Sequence, residues 1–268
     1  MKNILYILLI GISTLISCSG SPDSLYPRYT TFPDEKTVAT QETSIDSVFF
    51  RYPYRVTVRD SVAIIMDLHN DSHYFYAFTY PGWKPIAPFG KRGEAPGEML
   101  SAEMFQFSAL DSVWALDANR MLITRWSVSP ADKTVSCKEE IRLDTKLVRS
   151  LDFYRMESAF LITDYLGDFR YHKVSHSGKP IKSIGEIPTE INYEQDIRPA
   201  LAQAWRSFTD YNPKNGIYAM ATQLGETLEI YNLKTQTHNV IYGPGGELNS
   251  SQKEAKDSRP ALKGLWIY

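Results

Sequence analysis

Four short segments of this chain share one plan, and their spacing limits the fold more than anything else in the sequence. They are Asp60-Ser-Val-Ala-Ile-Ile-Met-Asp67, Asp111-Ser-Val-Trp-Ala-Leu-Asp117, Glu157-Ser-Ala-Phe-Leu-Ile-Thr-Asp164 and Asn215-Gly-Ile-Tyr-Ala-Met-Ala-Thr222. Each opens on a polar turn pair and continues as a short, mostly apolar run. The first three close on Asp. Their starts lie 51, 46 and 58 residues apart. A period of about 40 to 50 residues marks a repeated supersecondary unit that cannot bury its own faces and must stack on its neighbours. Lys263-Gly-Leu-Trp-Ile-Tyr268 reads as the start of a fifth copy.

A second strand follows each repeat. These are Tyr74-Phe-Tyr-Ala-Phe-Thr79, Met121-Leu-Ile-Thr-Arg-Trp126, Phe169-Arg-Tyr-His-Lys-Val174 and Thr227-Leu-Glu-Ile-Tyr231. Aromatic and β-branched residues dominate them, as strands prefer. A further strand is marked by His176-Ser-Gly-Lys-Pro180 leading into Ile181-Lys-Ser-Ile184. Small sheets of three or four strands, stacked radially, bury both faces and leave only short edges. The expected fold is therefore all-β, a β-propeller. One helical turn or two is expected within 190–205, as the link between the third and fourth blades.

The N-terminus carries an address. Met1-Lys2-Asn3 is positively charged, and Ile4 to Ile16 is apolar over 13 residues. A bilayer span needs about 20 residues, so the run fits the apolar region of a signal peptide. It ends on Leu15-Ile-Ser-Cys18, which resembles a bacterial lipobox. That resemblance implies that Cys18 is diacylated and becomes the mature N-terminus, which places the protein at the cell envelope. An ordinary signal peptide or a short anchor helix are the alternatives. The scarcity of Cys and its diagnostic position favour acylation. Residues 1–18 are then the signal, 19–44 a tether and N-terminal segment, and 45–268 the propeller. With Cys18 acylated, Cys137 has no intramolecular partner, so packing rather than a disulfide must stabilise the domain.

The chain also resembles the TolB-like and NHL-like six-bladed β-propeller lipoproteins of Bacteroidetes. Gly90, Gly93, Pro96, Gly97 and Glu98 carry the likeness, followed by Asp117, Asn119 and Arg120. A second set is Tyr211-Asn-Pro-Lys-Asn-Gly-Ile-Tyr-Ala-Met220. The resemblance spans about residues 45–268 and implies a fold more than a function. It implies six blades, whereas four and a fragment are legible. Either the chain is truncated or its blades are fewer. An open arc would leave a blade face uncovered and favour self-association.

Several chemistries find little support. A net charge of −2 argues against nucleic acid, which needs a basic surface. Gly90-x-x-Gly93-x-x-x-Gly97 and Gly243-Pro-Gly-Gly246 lack the residues of a P-loop or dinucleotide fingerprint. Turn formation is their expected role, with Gly97 at positive φ after Pro96. His69 and His73 flank an expected hairpin turn and lack a helix to bring them to one metal. His172 and His176 are expected on an exposed strand face. Asp67, Asp117 and Asp164 occupy equivalent places, where a ring of carboxylates could attract a cation or basic partner. Their recurrence favours a turn role, because a structural need repeats in every blade. No Gly-x-Ser-x-Gly elbow is present. No catalytic residue, metal ligand or cofactor is assigned. The expected function is a binding or scaffold module for a protein, peptide or glycan. The alternative is a glycan-directed lyase or hydrolase with its site at the central channel.

Overall fold

A computed structural model of the chain describes residues 27–29, 31, 34–40, 42–147, 150–190 and 193–244. Cys18 and the Lys263–Tyr268 fragment lie outside them. Sixteen strands form four antiparallel sheets, each of four strands in sequential order. Blade 1 comprises β1 (Pro53–Arg59), β2 (Val62–Asp67), β3 (His73–Thr79) and β4 (Pro85–Lys91). Blade 2 comprises β5 (Ala102–Ala109), β6 (Ser112–Asp117), β7 (Leu122–Ser129) and β8 (Thr134–Arg142). Blade 3 comprises β9 (Phe153–Arg155), β10 (Phe160–Thr163), β11 (Tyr171–Val174) and β12 (Pro180–Ile184). Blade 4 comprises β13 (Ser207–Asn212), β14 (Ile217–Thr222), β15 (Thr227–Asn232) and β16 (Thr237–Tyr242). A 3-10 turn, Gln195–Ile197, and helix α1, Arg198–Ala204, link blades 3 and 4. Both fall within the expected 190–205 link.

The four repeated segments are the second strand of each blade. β2 is buried at all six positions, which explains why it reads as a continuous apolar run and not as an alternating one. One face of blade 1 packs on blade 2, where Phe75 stacks on Phe89 at 5.0 Å and meets Phe105 edge-on at 5.5 Å. The other face is covered by the chain before β1. There Ile45, Val48 and Phe50 lie against Ile65, Tyr76 and Phe78. Removing a fully buried ring such as Phe75 costs about 3–5 kcal/mol.

Blades 2 and 3 meet through Trp114, Phe153 and Phe160. Blades 3 and 4 meet through Leu161, Tyr171, Tyr218, Met220 and Tyr231. A buried ion pair also crosses this second interface. Arg170, 1% exposed, donates from Nε and Nη2 to Glu229 Oε1 at 3.0 and 2.6 Å. Its Nη2 also reaches Ser207 Oγ at 3.1 Å, while Tyr231 Oη donates to Glu229 Oε2 at 2.9 Å. His238 lies flat on Tyr231 at 4.0 Å, with Nε2 3.3 Å from Glu229 Oε2. Burial alone would raise the Glu229 carboxyl; the Arg170 charge and these hydrogen bonds outweigh it and hold it below the usual range.

The first strands of the blades face the central axis, with β1 against β5 and β5 against β9. The fourth strands are outermost, and β8 and β12 are largely exposed. Blade 4 turns its second face away from blade 3, and Phe208 on that side is 54% exposed.

Candidate functional site

The repeated carboxylates set the geometry of the axis. Asp67 accepts from its own turn at His69 N, 3.0 Å, and from the arriving chain at Arg51 N and Tyr52 N, 2.7 and 2.9 Å. Asp117 repeats the pattern, accepting from Arg120 N at 3.0 Å and from Leu100 N and Ser101 N at 2.7 and 3.3 Å. Both side chains are wholly buried. The turn role expected of them is present, and each also ties the first strand of its blade to the second. Asp164 accepts from its own loop, through Leu166 N and Phe169 N at 2.8 and 2.9 Å, and has His172 Nε2 at 3.7 Å. Burial would raise it, but the His172 ring and these amides hold it below its ordinary value. In blade 4 the place falls to Thr222, whose Oγ1 accepts Thr227 N. Among the described residues, no group of three or more His, Cys, Asp or Glu side chains is placed to hold a metal ion.

In blade 3 the arriving chain carries a carboxyl of its own, Asp152. It is 4% exposed and accepts from Thr209 Oγ1 at 2.5 Å and Phe153 N at 2.9 Å. Burial pushes it up from 3.8 to about 6, against the pull of Thr209, Arg55 and Arg206. Periodicity could not flag Asp152, because it stands outside the repeated segments.

These chain ends enclose a cavity of about 500 Å³ to which all four blades contribute. Tyr52, Tyr54, Arg55, His69 and Arg92 come from blade 1 and the turn after it. Blade 2 supplies Ser101 and Glu103, blade 3 supplies Asp152 and Tyr165, and blade 4 supplies Arg206, Ser207 and Phe208. Arg92 sits inside the glycine-rich turn. Its guanidinium covers the Tyr74 ring at 3.9 Å and donates to Leu68 O. Tyr52 and Tyr54 stack at 6.0 Å, and His69 meets Tyr52 edge-on at 5.2 Å.

The remaining sequence-marked residues are structural. Arg120 donates to the carbonyls of Glu98 at 2.8 Å and Ala95 at 3.1 Å, and to that of Glu94. It thereby clamps the Gly93–Glu98 turn. Gly97 has φ +78, as expected. His69 and His73 flank a turn, and His73 starts β3 with its ring on Ser72. His172 corrects the expectation of an exposed face: it is 9% exposed and its Nδ1 lies 2.9 Å from Ser183 Oγ. It is turned inward because it supports Asp164. His176 packs on Phe160 at 4.9 Å. Cys137 is exposed on β8. No helix among the described residues is long and apolar enough to cross a membrane.

A family model described as TolB-like 6-blade propeller-like matches residues 31–265. The chain belongs to this family. The family's description specifies six blades, and four are present among the described residues. An exported protein of Bacteroides fragilis is similar in structure, at 10% identity and TM-score 0.46, over 81% of this chain and 79% of that one. A DUF4221 family member from Bacteroides vulgatus gives 8% identity and TM-score 0.49, over 75% of this chain and 59% of that one. A DUF4623 family protein from Bacteroides eggerthii gives 13% and 0.44, over 78% and 46%. The chain thus spans less than two thirds of the last two. No curated protein matches it.

Proposed function

We propose that this TolB-like chain is a lipid-anchored protein of the cell envelope whose propeller is a binding module for a protein, peptide or glycan. The axial cavity is its site. One observation carries this assignment: chain ends from all four blades converge on the cavity and bring Arg55, Arg92 and Arg206 to its wall. The anchor rests on Leu15-Ile-Ser-Cys18.

Tyr52→Ala and Phe208→Ala test the site, since both side chains line the cavity and are about half exposed. Purified wild type and variants are screened against glycan and peptide libraries. Loss of binding at an unchanged melting temperature supports the axial site. Binding that survives both changes and maps to the outer strands overturns it. Asp152 favours a second, enzymic reading, because a carboxyl near 6 can give and take a proton at neutral pH. Chain cleavage of a bound glycan that Asp152→Asn abolishes would select it.

A further inference from the structure

Arg55, Arg92 and Arg206 reach one cavity from three parts of the chain: β1, the glycine-rich turn after β4, and the link between α1 and β13. Among the described residues, none of the three has a carboxylate oxygen within 4 Å. Four other arginines are paired, Arg51 with Asp71, Arg125 with Glu139, Arg170 with Glu229 and Arg198 with Asp168, and Arg120 is spent on three loop carbonyls. A guanidinium keeps its charge at every physiological pH and offers five donors in a fixed fork. The two acids in the cavity make no direct bond to these guanidinium groups, although Arg55 and Arg206 attract Asp152 from beyond 4 Å. Glu103 accepts Ser101 Oγ at 2.7 Å, and Asp152 accepts Thr209 and the Phe153 amide.

Resting on the axial-site assignment above, we infer that the cavity binds a saccharide bearing a carboxylate. Arg55 and Arg92 take the carboxylate, and Tyr52 takes the face of the ring. The planar guanidinium fork matches a carboxylate's two oxygens. Tyr52 is 49% exposed beside it and braced by Tyr54 and His69. A ring so held offers a flat apolar face with a polar edge, which complements the C–H face of a pyranose. The size fits a ligand of a few rings. A lining of guanidinium, hydroxyl and carboxyl groups suits a molecule with polar groups all over its surface. A peptide would instead use a free sheet edge or apolar side-chain pockets.

The experiment is calorimetric titration of the purified chain with short hexuronate oligosaccharides, the same oligosaccharides with carboxylates reduced to alcohols, and oligoglutamate. The hexuronates are expected to bind, and reduction to weaken them about tenfold or more, as loss of a charge-assisted bidentate contact does. Arg55→Lys, which keeps the charge and loses the fork, is expected to weaken the hexuronates and leave the reduced sugars unchanged. Its melting temperature reports whether the fold is intact. Equal binding of acidic and reduced sugars, lost in Tyr52→Ala, overturns the acidic class and leaves the axial site standing. Oligoglutamate binding as tightly as hexuronate overturns the saccharide class. Saccharide binding that neither Arg55→Lys nor Tyr52→Ala alters overturns both the inference and the axial site. Absence of binding by all three probes overturns the inference alone.

Discussion

Asp152→Asn should stabilise the protein above pH 6 and do little at pH 4. Asp152 is 4% exposed, and burial lifts its carboxyl from 3.8 to about 6. The folded state therefore holds the proton more tightly than the unfolded chain. The stability linked to that proton is fully present below about 3.8 and is lost as pH rises through about 6. At roughly 1.4 kcal/mol per pKa unit, the difference amounts to about 3 kcal/mol between the two limits. The attraction of Arg55 and Arg206 is already contained in the value of about 6, so it is not subtracted again. Asn is uncharged, keeps the shape, and can serve both Thr209 and the Phe153 amide. The assay is thermal unfolding of wild type and variant at pH 4 to 8. For a domain of this size, 1 kcal/mol moves the melting temperature by about 2–4 °C. About 0.5 kcal/mol of this is already lost by pH 4, so the variant should gain about 5–10 °C on wild type between pH 4 and pH 7.5. A constant offset at every pH would show that Asp152 does not titrate between its folded and unfolded values, and the argument from burial would be wrong.

Two glycines at similar φ should behave differently. A Cβ at Gly97 meets nothing within 4 Å, so Gly97→Val costs only the left-handed backbone, about 1–3 kcal/mol. A Cβ at Gly178 would stand 2.0 Å from Arg142 O, so Gly178→Ala should melt well below it; equal melting would refute the steric account. Asp117→Ala strips the acceptor from three backbone amides and should cost about 2–4 kcal/mol, with Asp117→Asn milder; chemical denaturation ranks them, and equal losses would contradict the bonding described. Arg170→Met leaves Glu229 charged and buried and should cost about 3–5 kcal/mol. Adding Glu229→Gln should restore part of that loss, and no recovery in the double variant would deny the coupling. Cys18→Ala should release the protein from the membrane fraction, because a diacylated Cys anchors stably; a variant that still co-sediments, with no fatty-acid label on wild type, would remove the anchor.

The blades are legible in their second strands. β2, β6 and β10, buried on both faces, and β14, buried chiefly at Tyr218 and Met220, read as apolar runs behind turn pairs such as Asp60-Ser61 and Asn215-Gly216. The first strands gave no such signal. β1 reads PYRVTVR, with Val56 and Val58 exposed and Arg55 half-buried toward the axis, and β9 has three residues. The outermost β8, TVSCKEEIR, is exposed at most positions, so hydrophobic periodicity had little to act on. The burial of His172 is hidden from the sequence for a related reason. Its strand neighbours imply a face but not which face, and its inward turn follows from Asp164 and Ser183, which lie 8 and 11 residues away.

Arg92 and Arg120 show why the site could not be read in advance. Both follow a glycine- or Asp-marked turn, and in sequence they look alike. Arg120 donates to three carbonyls of one loop, and its charge is absorbed in holding that loop. Arg92 donates to Leu68 O and covers Tyr74, yet it lines the axial cavity with no carboxylate beside it. Arg55 and Arg206 join it only because the stacking of the blades brings together positions 37 and 114 residues away in sequence. A repeated residue in a propeller meets a need that every blade shares, as Asp67 and Asp117 do. Arg55, Arg92 and Arg206 meet no such shared need, since each stands at a different place in its own segment, and the axial cavity is what they have in common.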